Sequence, residues 1–201
     1  MQKMQTGNLR KRYTTEIRNK LKSSLGKRNI YEVPKLTKIV INTGFGKMSP
    51  DKSARERIAN NLEAITGQKP VYTSAKKAIA GFKIRKGQTI GAKVTLRGEK
   101  MYHFFEKLVS IVIPRLRDFR GMNEGSFDGK GNYSIGLYEI NIFPEIEFAR
   151  GEKSIGLEVV ICTSAKNAQE VRGLLSTLGM AFTKKSEEKK KEVEVATRVV
   201  K

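Results

Sequence analysis

The sequence predicts an α+β fold: a mainly antiparallel sheet with helices packed on one of its faces. Three observations predict it. Stretches with strand and helix patterning interleave along the chain. The strand-like stretches alternate apolar with polar residues, so each can bury only one face. The clearest is 92–97, where Ala92, Val94 and Leu96 alternate with Lys93, Thr95 and Arg97. The helix-like stretches each carry one apolar stripe. A sheet covered on one side leaves its other face free for a ligand.

The first element is a helix over 9–25. Leu9, Tyr13, Ile17, Leu21 and Leu25 recur every four residues, and Gly26 supplies a C-terminal stop. Its other faces carry Arg10, Lys11, Arg12, Arg18, Lys20 and Lys22 against the single acid Glu16. A face so nearly of one sign suits RNA contact better than plain solvation. Residues 36–43 read as a strand, with Ile39 and Ile41 on one side and Lys38 and Asn42 on the other. A helix follows over 50–66, capped by Ser49, started by Pro50 and closed by Gly67, with Ala54, Ile58, Leu62 and Ile65 as its buried stripe.

Residues 71–74 form a short strand, and 75–91 is a connection rich in Lys, Arg and Gly before the strand at 92–97. A helix over 101–113 turns Phe104, Phe105, Leu108 and Val112 inward and ends at Pro114. Residues 115–133 are polar, Gly-rich and irregular. Strands follow at 134–142 and 157–163. Asn167 with Glu170 forms a capping box that opens a helix through Leu178, closed by Gly179. The whole is expected to be an RRM or ferredoxin-like sandwich with basic loops. Residues 1–183 are expected to form one RNA-binding domain with an N-terminal helix, and 184–201 a charged, disordered tail.

Composition sets the class of partner. The 201 residues carry 40 Lys+Arg against 20 Asp+Glu, a formal net charge of +20. Self-repulsion on that scale destabilises a compact chain unless a polyanion neutralises it. Phosphate backbones do so and release counterions on binding. A membrane partner is not expected: there is no long apolar run and no lipidation signal. The one cysteine, Cys162, excludes an internal disulfide and fits a reducing, cytoplasmic compartment. Residues 1–26 lack the apolar core of a secretory signal and are expected to be folded helix.

No catalytic constellation is present, so the chain is not expected to be an enzyme. His103, the only histidine, is expected to sit partly buried in its helix beside aromatics, and Cys162 to fill the core. One His and one Cys cannot make a zinc site, and neither metal nor cofactor is expected. Gly44-Phe45-Gly46-Lys47 lacks the spacing of a phosphate loop and reads as a Gly-rich turn. Glu145 and Glu147 would point to opposite faces of an extended segment and form no acid/base pair. The binding signal lies in 68–100, where Lys69, Lys76, Lys77, Lys83, Arg85, Lys86, Lys93, Arg97 and Lys100 face only Glu99. Interspersed Ser, Thr and Gly add neutral donors and let backbone approach phosphate. Phe82 either stacks on a base or packs under the loop as an anchor.

These residues carry a resemblance. Gly67-Gln68-Lys69-Pro70, the run 80–87 (AGFKIRKG) and the run 93–98 (KVTLRG) resemble the ribosomal protein L5 family in its bacterial form. So do the runs 114–121 (PRLRDFRG) and 126–134 (SFDGKGNYS), and Phe143-Pro144-Glu145-Ile146. The blocks keep the family's order and spacing from about residue 9 to 184. The resemblance implies a cytoplasmic ribosomal component that binds 5S rRNA and attaches it to large-subunit rRNA in the central protuberance. It also implies contacts with peptidyl-site tRNA and with small-subunit protein S13. It places 5S rRNA binding at Asn42, Gln68, Lys69, Thr73, Lys93, Thr95 and Arg97. It places a tRNA-facing loop at Lys77, Phe82, Lys83, Arg85 and Lys86, and the inter-subunit bridge at Arg115, Arg117, Asp118 and Arg120, with the region after Phe143. Residues 1–7 and the tail past 184 extend beyond the family's pattern.

Overall fold

The computed structural model describes residues 9–46, 52–117, 119–146 and 155–183. Ser49, Pro50, Asp118, Glu147 and the expected tail 184–201 lie outside these residues. The N-terminal helix runs through α1 (Leu9–Arg12), a π-turn (Tyr13–Ile17) and α2 (Arg18–Ser24). Its stripe explains the π-turn. A strict four-residue spacing overshoots a 3.6-residue turn by about 40° at each step, and one wider turn restores alignment. Leu9, Tyr13, Ile17 and Leu21 are all buried as a result. The Tyr13 hydroxyl donates to Pro34 O at 2.9 Å, and burial pushes its phenol up to about 12.

Strands β1 (Leu36–Gly44), β2 (Val71–Ser74), β3 (Thr89–Leu96), β4 (Asn132–Leu137) and β5 (Leu157–Thr163) form one sheet in the order β2-β3-β1-β5-β4. Every pairing is antiparallel. With α3 (Lys52–Thr66) after β1, and α4 (Gly98–Lys107) after β3, the strands β2-β3-β1-β5 follow the split βαββαβ order of a ferredoxin-like sandwich. β4 adds a fifth strand at the β5 edge. The inward set of Ile39, Ile41, Ala92, Val94, Leu96, Val159 and Ile161 is almost fully buried. It joins the stripes of the N-terminal helix, α3, α4 and α5 (Ala168–Thr177) in one core cluster. The expected stripe of α3 is buried at all four positions.

Several boundaries differ from expectation. The third strand begins at Thr89, three residues early, because Phe45 N and Gly87 N hydrogen-bond onward to Ile90 O and Ala75 O. α4 also starts early, at Gly98, then passes into a π-turn (Leu108–Val112) and a 3-10 turn (Ile113–Arg115). Pro114 therefore sits inside that last turn, near its start, where its missing N–H costs nothing. The expected strand 134–142 stops at Leu137, and Ile140–Ile142 form a 3-10 turn that buries Ile140. The Phe143 ring, wholly buried, stacks beside Phe104 at 6.2 Å. Lys107 Nζ clamps this corner, donating to Ile65 O at 2.6 Å and to Glu145 Oε1 at 2.5 Å. His103 is exposed, on the polar side of α4, rather than partly buried.

The expected cap forms, with its return bond one residue before the N-cap Asn167. Asn167 Oδ1 accepts Glu170 N at 2.9 Å, and Glu170 Oε2 accepts Lys166 N at 3.1 Å. Glu170 Oε1 also takes a hydrogen bond from Lys27 Nζ at 2.7 Å, which ties the end of α2 to the start of α5. The Lys27 ammonium, aided by the Lys166 N–H, holds the Glu170 carboxyl below its ordinary value. A carboxyl depressed on folding stabilises above its unfolded value, near 4.5, and loses that contribution as pH falls through its folded value. Glu170→Gln is expected to lower the melting temperature at pH 7 by roughly 2–4 °C. The gap from wild type should close as pH falls below 4. Thermal unfolding between pH 7 and pH 3 checks this; a gap independent of pH would refute it.

Candidate nucleic-acid interface

The sheet face away from the helices carries the expected polar residues. On β1, Val40 and Asn42 point outward between buried neighbours, and Lys38 does so before the buried Ile39. Register places Asn42 opposite Lys93 on β3 and opposite Glu158 on β5. Val40 lies between Thr95 and Val160, and Lys38 lies opposite Cys162. Thr73 on β2 faces Gly91, where a Cβ would come within 2.7 Å of the Thr73 hydroxyl and 2.8 Å of Thr43 O. Glycine at 91 therefore lets β1, β2 and β3 close up at this end.

Gln68 and Lys69 reach the same face through the turn after α3. Gly67 ends the helix with φ +63°, and Lys100 Nζ donates to Gly67 O at 2.7 Å. The Thr66 hydroxyl donates to Leu62 O at 2.6 Å and accepts from Gln68 N at 3.3 Å. Gln68 Nε2 then donates to Thr95 O at 3.4 Å, beside the outward Thr95 side chain. Arg97 follows β3 as the extended residue before α4 and is exposed. Asn42, Thr73, Lys93 and Thr95 thus share one surface, with Gln68, Lys69 and Arg97 along its edge. Lys38, Val40, Glu158, Val160 and Cys162 share it too. Cys162 is half-buried on this outer face and not a core filler, because the alternation of β5 directs Leu157, Val159 and Ile161 inward.

The connection 75–91 is ordered as an extension of the β2–β3 hairpin. Ala75 and Gly87–Gln88 exchange backbone bonds at 2.9 Å, and Ile79 and Ile84 pair again farther out, at 3.0 and 3.1 Å. A 3-10 turn (Ala80–Phe82) closes the tip. Lys83 follows with φ +54°, the one non-glycine residue in the left-handed region among those described. Gln88 Oε1 accepts Arg85 N at 2.9 Å and stiffens the return. Phe82 is 74% exposed, so it does not anchor the loop from beneath; Ile84, half-buried, does. Lys76, Lys77, Lys83, Arg85 and Lys86 are exposed around it.

A third basic surface lies at the end of the sheet near β4. Arg115, Arg117 and Arg120 are exposed and line a cleft of about 390 Å³ with Phe119, Tyr138 and Glu139. Tyr138 is 93% exposed. Among the described residues no cluster of His, Cys, Asp and Glu fits a metal ion, and no helix is long and apolar enough to cross a membrane.

Comparison with known proteins agrees along the chain. Residues 29–85 match the family model described as ribosomal protein L5, and residues 89–182 match the model of that ribosomal family's C-terminus. The two models meet inside the β2–β3 hairpin, and β1 from the first lies between β3 and β5 from the second. The chain is 50% identical over 176 residues to the large ribosomal subunit protein uL5 of Brevibacillus brevis, covering 88% of this chain and 98% of the relative. It shows the same identity and coverage against uL5 of Prochlorococcus marinus. Against uL5 of Natranaerobius thermophilus it is 48% identical over 171 residues, covering 85% of this chain and 96% of the relative.

The hairpin tip supplies a test of its own. Left-handed backbone costs an L-residue about 1–2 kcal/mol, a β-branched one most of all, and glycine nothing. Lys83→Gly is expected to keep the Ile84 amide protected, whereas Lys83→Val should lose roughly tenfold in protection. Amide hydrogen exchange at Ile79 and Ile84 checks this, and equal protection in both variants would refute the strain at 83.

Proposed function

Because this chain belongs to the ribosomal protein L5 family, and is accordingly a non-enzymatic structural constituent of the large ribosomal subunit in the cytoplasm, we propose that its uncovered sheet face docks 5S rRNA. The observation that carries this reading is the division of the sheet. All the packed helices lie on one face, while the other presents amide, hydroxyl and ammonium groups in cross-strand register. Hydroxyls and amides give directional bonds to riboses and bases, and the cations give the electrostatic share. In this reading the protein attaches 5S rRNA to the large rRNA in the central protuberance. Residues 1–183 act as one RNA-binding unit.

The hairpin tip faces peptidyl-site tRNA. Every tRNA must pass the same site, so the contact has to tolerate sequence, which phosphate contacts and shape provide. A rigid, projecting tip with an exposed ring and five exposed cations suits that task. Arg115, Arg117 and Arg120, with Asp118 outside the described residues, contribute the bridge to small-subunit protein S13. Their cleft sits at the β4 edge of the sheet, where Gly136 in its wall stands opposite Glu158 of the sheet face.

Replacing Lys93, Thr95 and Arg97 together with alanine is expected to weaken 5S rRNA binding. The salt slope should fall by roughly two, one for each lost cation. A chain ending at residue 183 should bind as the full chain does. Unchanged affinity in the folded triple variant would exclude the sheet face. In assembled ribosomes, Lys83→Gly with Arg85→Ala and Lys86→Ala should weaken peptidyl-site tRNA retention and leave subunit joining intact. Alanine at Arg115, Arg117 and Arg120 should do the reverse. The same defect from both sets would remove the division of labour.

A further inference from the structure

One residue on the proposed 5S rRNA surface has the wrong sign for phosphate. Glu158 is the only carboxylate among the outward-pointing strand residues, and it is exposed near the start of β5, one strand in from the β4 edge. No described cation pairs with it; the ion pairs among the described residues lie elsewhere. At neutral pH a carboxylate only accepts hydrogen bonds, and phosphate oxygens only accept as well. Set against an RNA backbone, Glu158 would repel what Lys93 and Lys38 on the same face attract. If this face meets RNA, Glu158 must meet a donor.

We propose that Glu158 reads the Watson–Crick edge of an unpaired guanine in the bound RNA, deepening the sheet-face reading on which it rests. The chemistry selects guanine. Its N1–H and N2–H₂ donate side by side, matching the two oxygens of one carboxylate. The same edges of adenine and cytosine each pair an amino donor with a ring-nitrogen acceptor, which repels a carboxylate. A ribose 2′-hydroxyl offers one donor only. The edge is open only in a base that is not paired, the kind of target that sequence-specific RNA recognition uses.

The surroundings fit a flat base held edge-on to Glu158. Asn42 stands directly across the β1–β5 pair and Lys93 one strand beyond, at strand spacings of about 4.8 Å. These two are donors in reach of guanine O6 and of a flanking phosphate. On the other side Gly136 stands opposite Glu158, a Cβ there would meet nothing within 4 Å, and the approach opens onto the arginine cleft that Gly136 also lines. In the next cross-strand row Val40 and Val160 lie side by side and half-buried, an apolar floor for the ring.

The test is 5S rRNA binding by the full chain across a salt series. Glu158→Ala is expected to weaken binding about tenfold with the salt slope unchanged, because no cation is lost. Glu158→Gln, which keeps one acceptor, should fall between. Replacing each unpaired guanine of 5S rRNA in turn with inosine, which lacks the 2-amino group, should expose one position that weakens wild-type binding and has no added effect on Glu158→Ala. Binding as tight as wild type or tighter in Glu158→Ala, with a steeper slope, would show a carboxylate that merely repels phosphate. Weaker binding with no such inosine position would equally overturn the guanine assignment. The Lys93, Thr95 and Arg97 variant separates the two levels. If it binds normally, the sheet face itself is wrong; if it binds weakly while Glu158→Ala does not, only the present inference is lost.

Discussion

The position of β1 constrains everything else in this protein. From Ile39 to Asn42 it is paired on both sides, with β3 and with β5. Its side chains alternate between core and outer face, so one register sets both. A slip by one residue would turn Ile39 and Ile41 outward and bury Lys38 and Asn42. Burial of the isoleucines therefore fixes where the polar groups stand. The same pairing puts Asn42 between Lys93 and Glu158, residues from segments more than sixty positions apart in sequence. The candidate recognition surface is the reverse side of the core.

The charge balance makes the fold depend on its partner in a second way. A net charge of +20 is opposed by few ion pairs among the described residues, and two of these are at the exposed surface, where each contributes little. The partly buried ones do structural work: Lys27 with Glu170 joins two helix ends, and Lys107 with Glu145 closes the corner below Phe143. The cations of the sheet face, hairpin tip and arginine cleft are left for an external polyanion or partner. Binding RNA relieves their mutual repulsion, so recognition and stability are linked.

Projection from a rigid body recurs at the surfaces that leave the sheet. The hairpin holds its tip with two tiers of backbone bonds and accepts a left-handed lysine at the turn. Such strain persists where surrounding structure enforces it, and it gathers at functional sites. The turn carrying Gln68 is likewise pinned by Thr66 and Lys100. Both devices present polar groups in fixed positions, which lowers the entropy lost when a nucleic acid binds.

Alternation in 36–43 and 92–97 made the one-sided sheet legible in sequence. The four-residue stripe made the first helix legible, and the Asn167–Glu170 spacing gave the start of α5. The basic, hydroxylated set Lys93, Thr95 and Arg97 identified half of the candidate interface for the same reason: period two is local and needs no partner. The other half was not legible. Glu158, Val160 and Cys162 joined the site only because β5 lies beside β1, and strand order is a property of long-range pairing that no local period encodes. Phe82 remained ambiguous in sequence because exposure depends on what lies under the loop, and Ile84 took the buried position. The segment 138–142 was misplaced because tertiary packing of Ile140 and Phe143 outweighed local propensity, and Pro114 because the start of a 3-10 turn does not need its missing N–H. By itself the sequence determined the elements, the charge and which face of each strand is wet. Tertiary structure decided which wet faces lie together, because burying the apolar sides in one shared core sets the order of the strands.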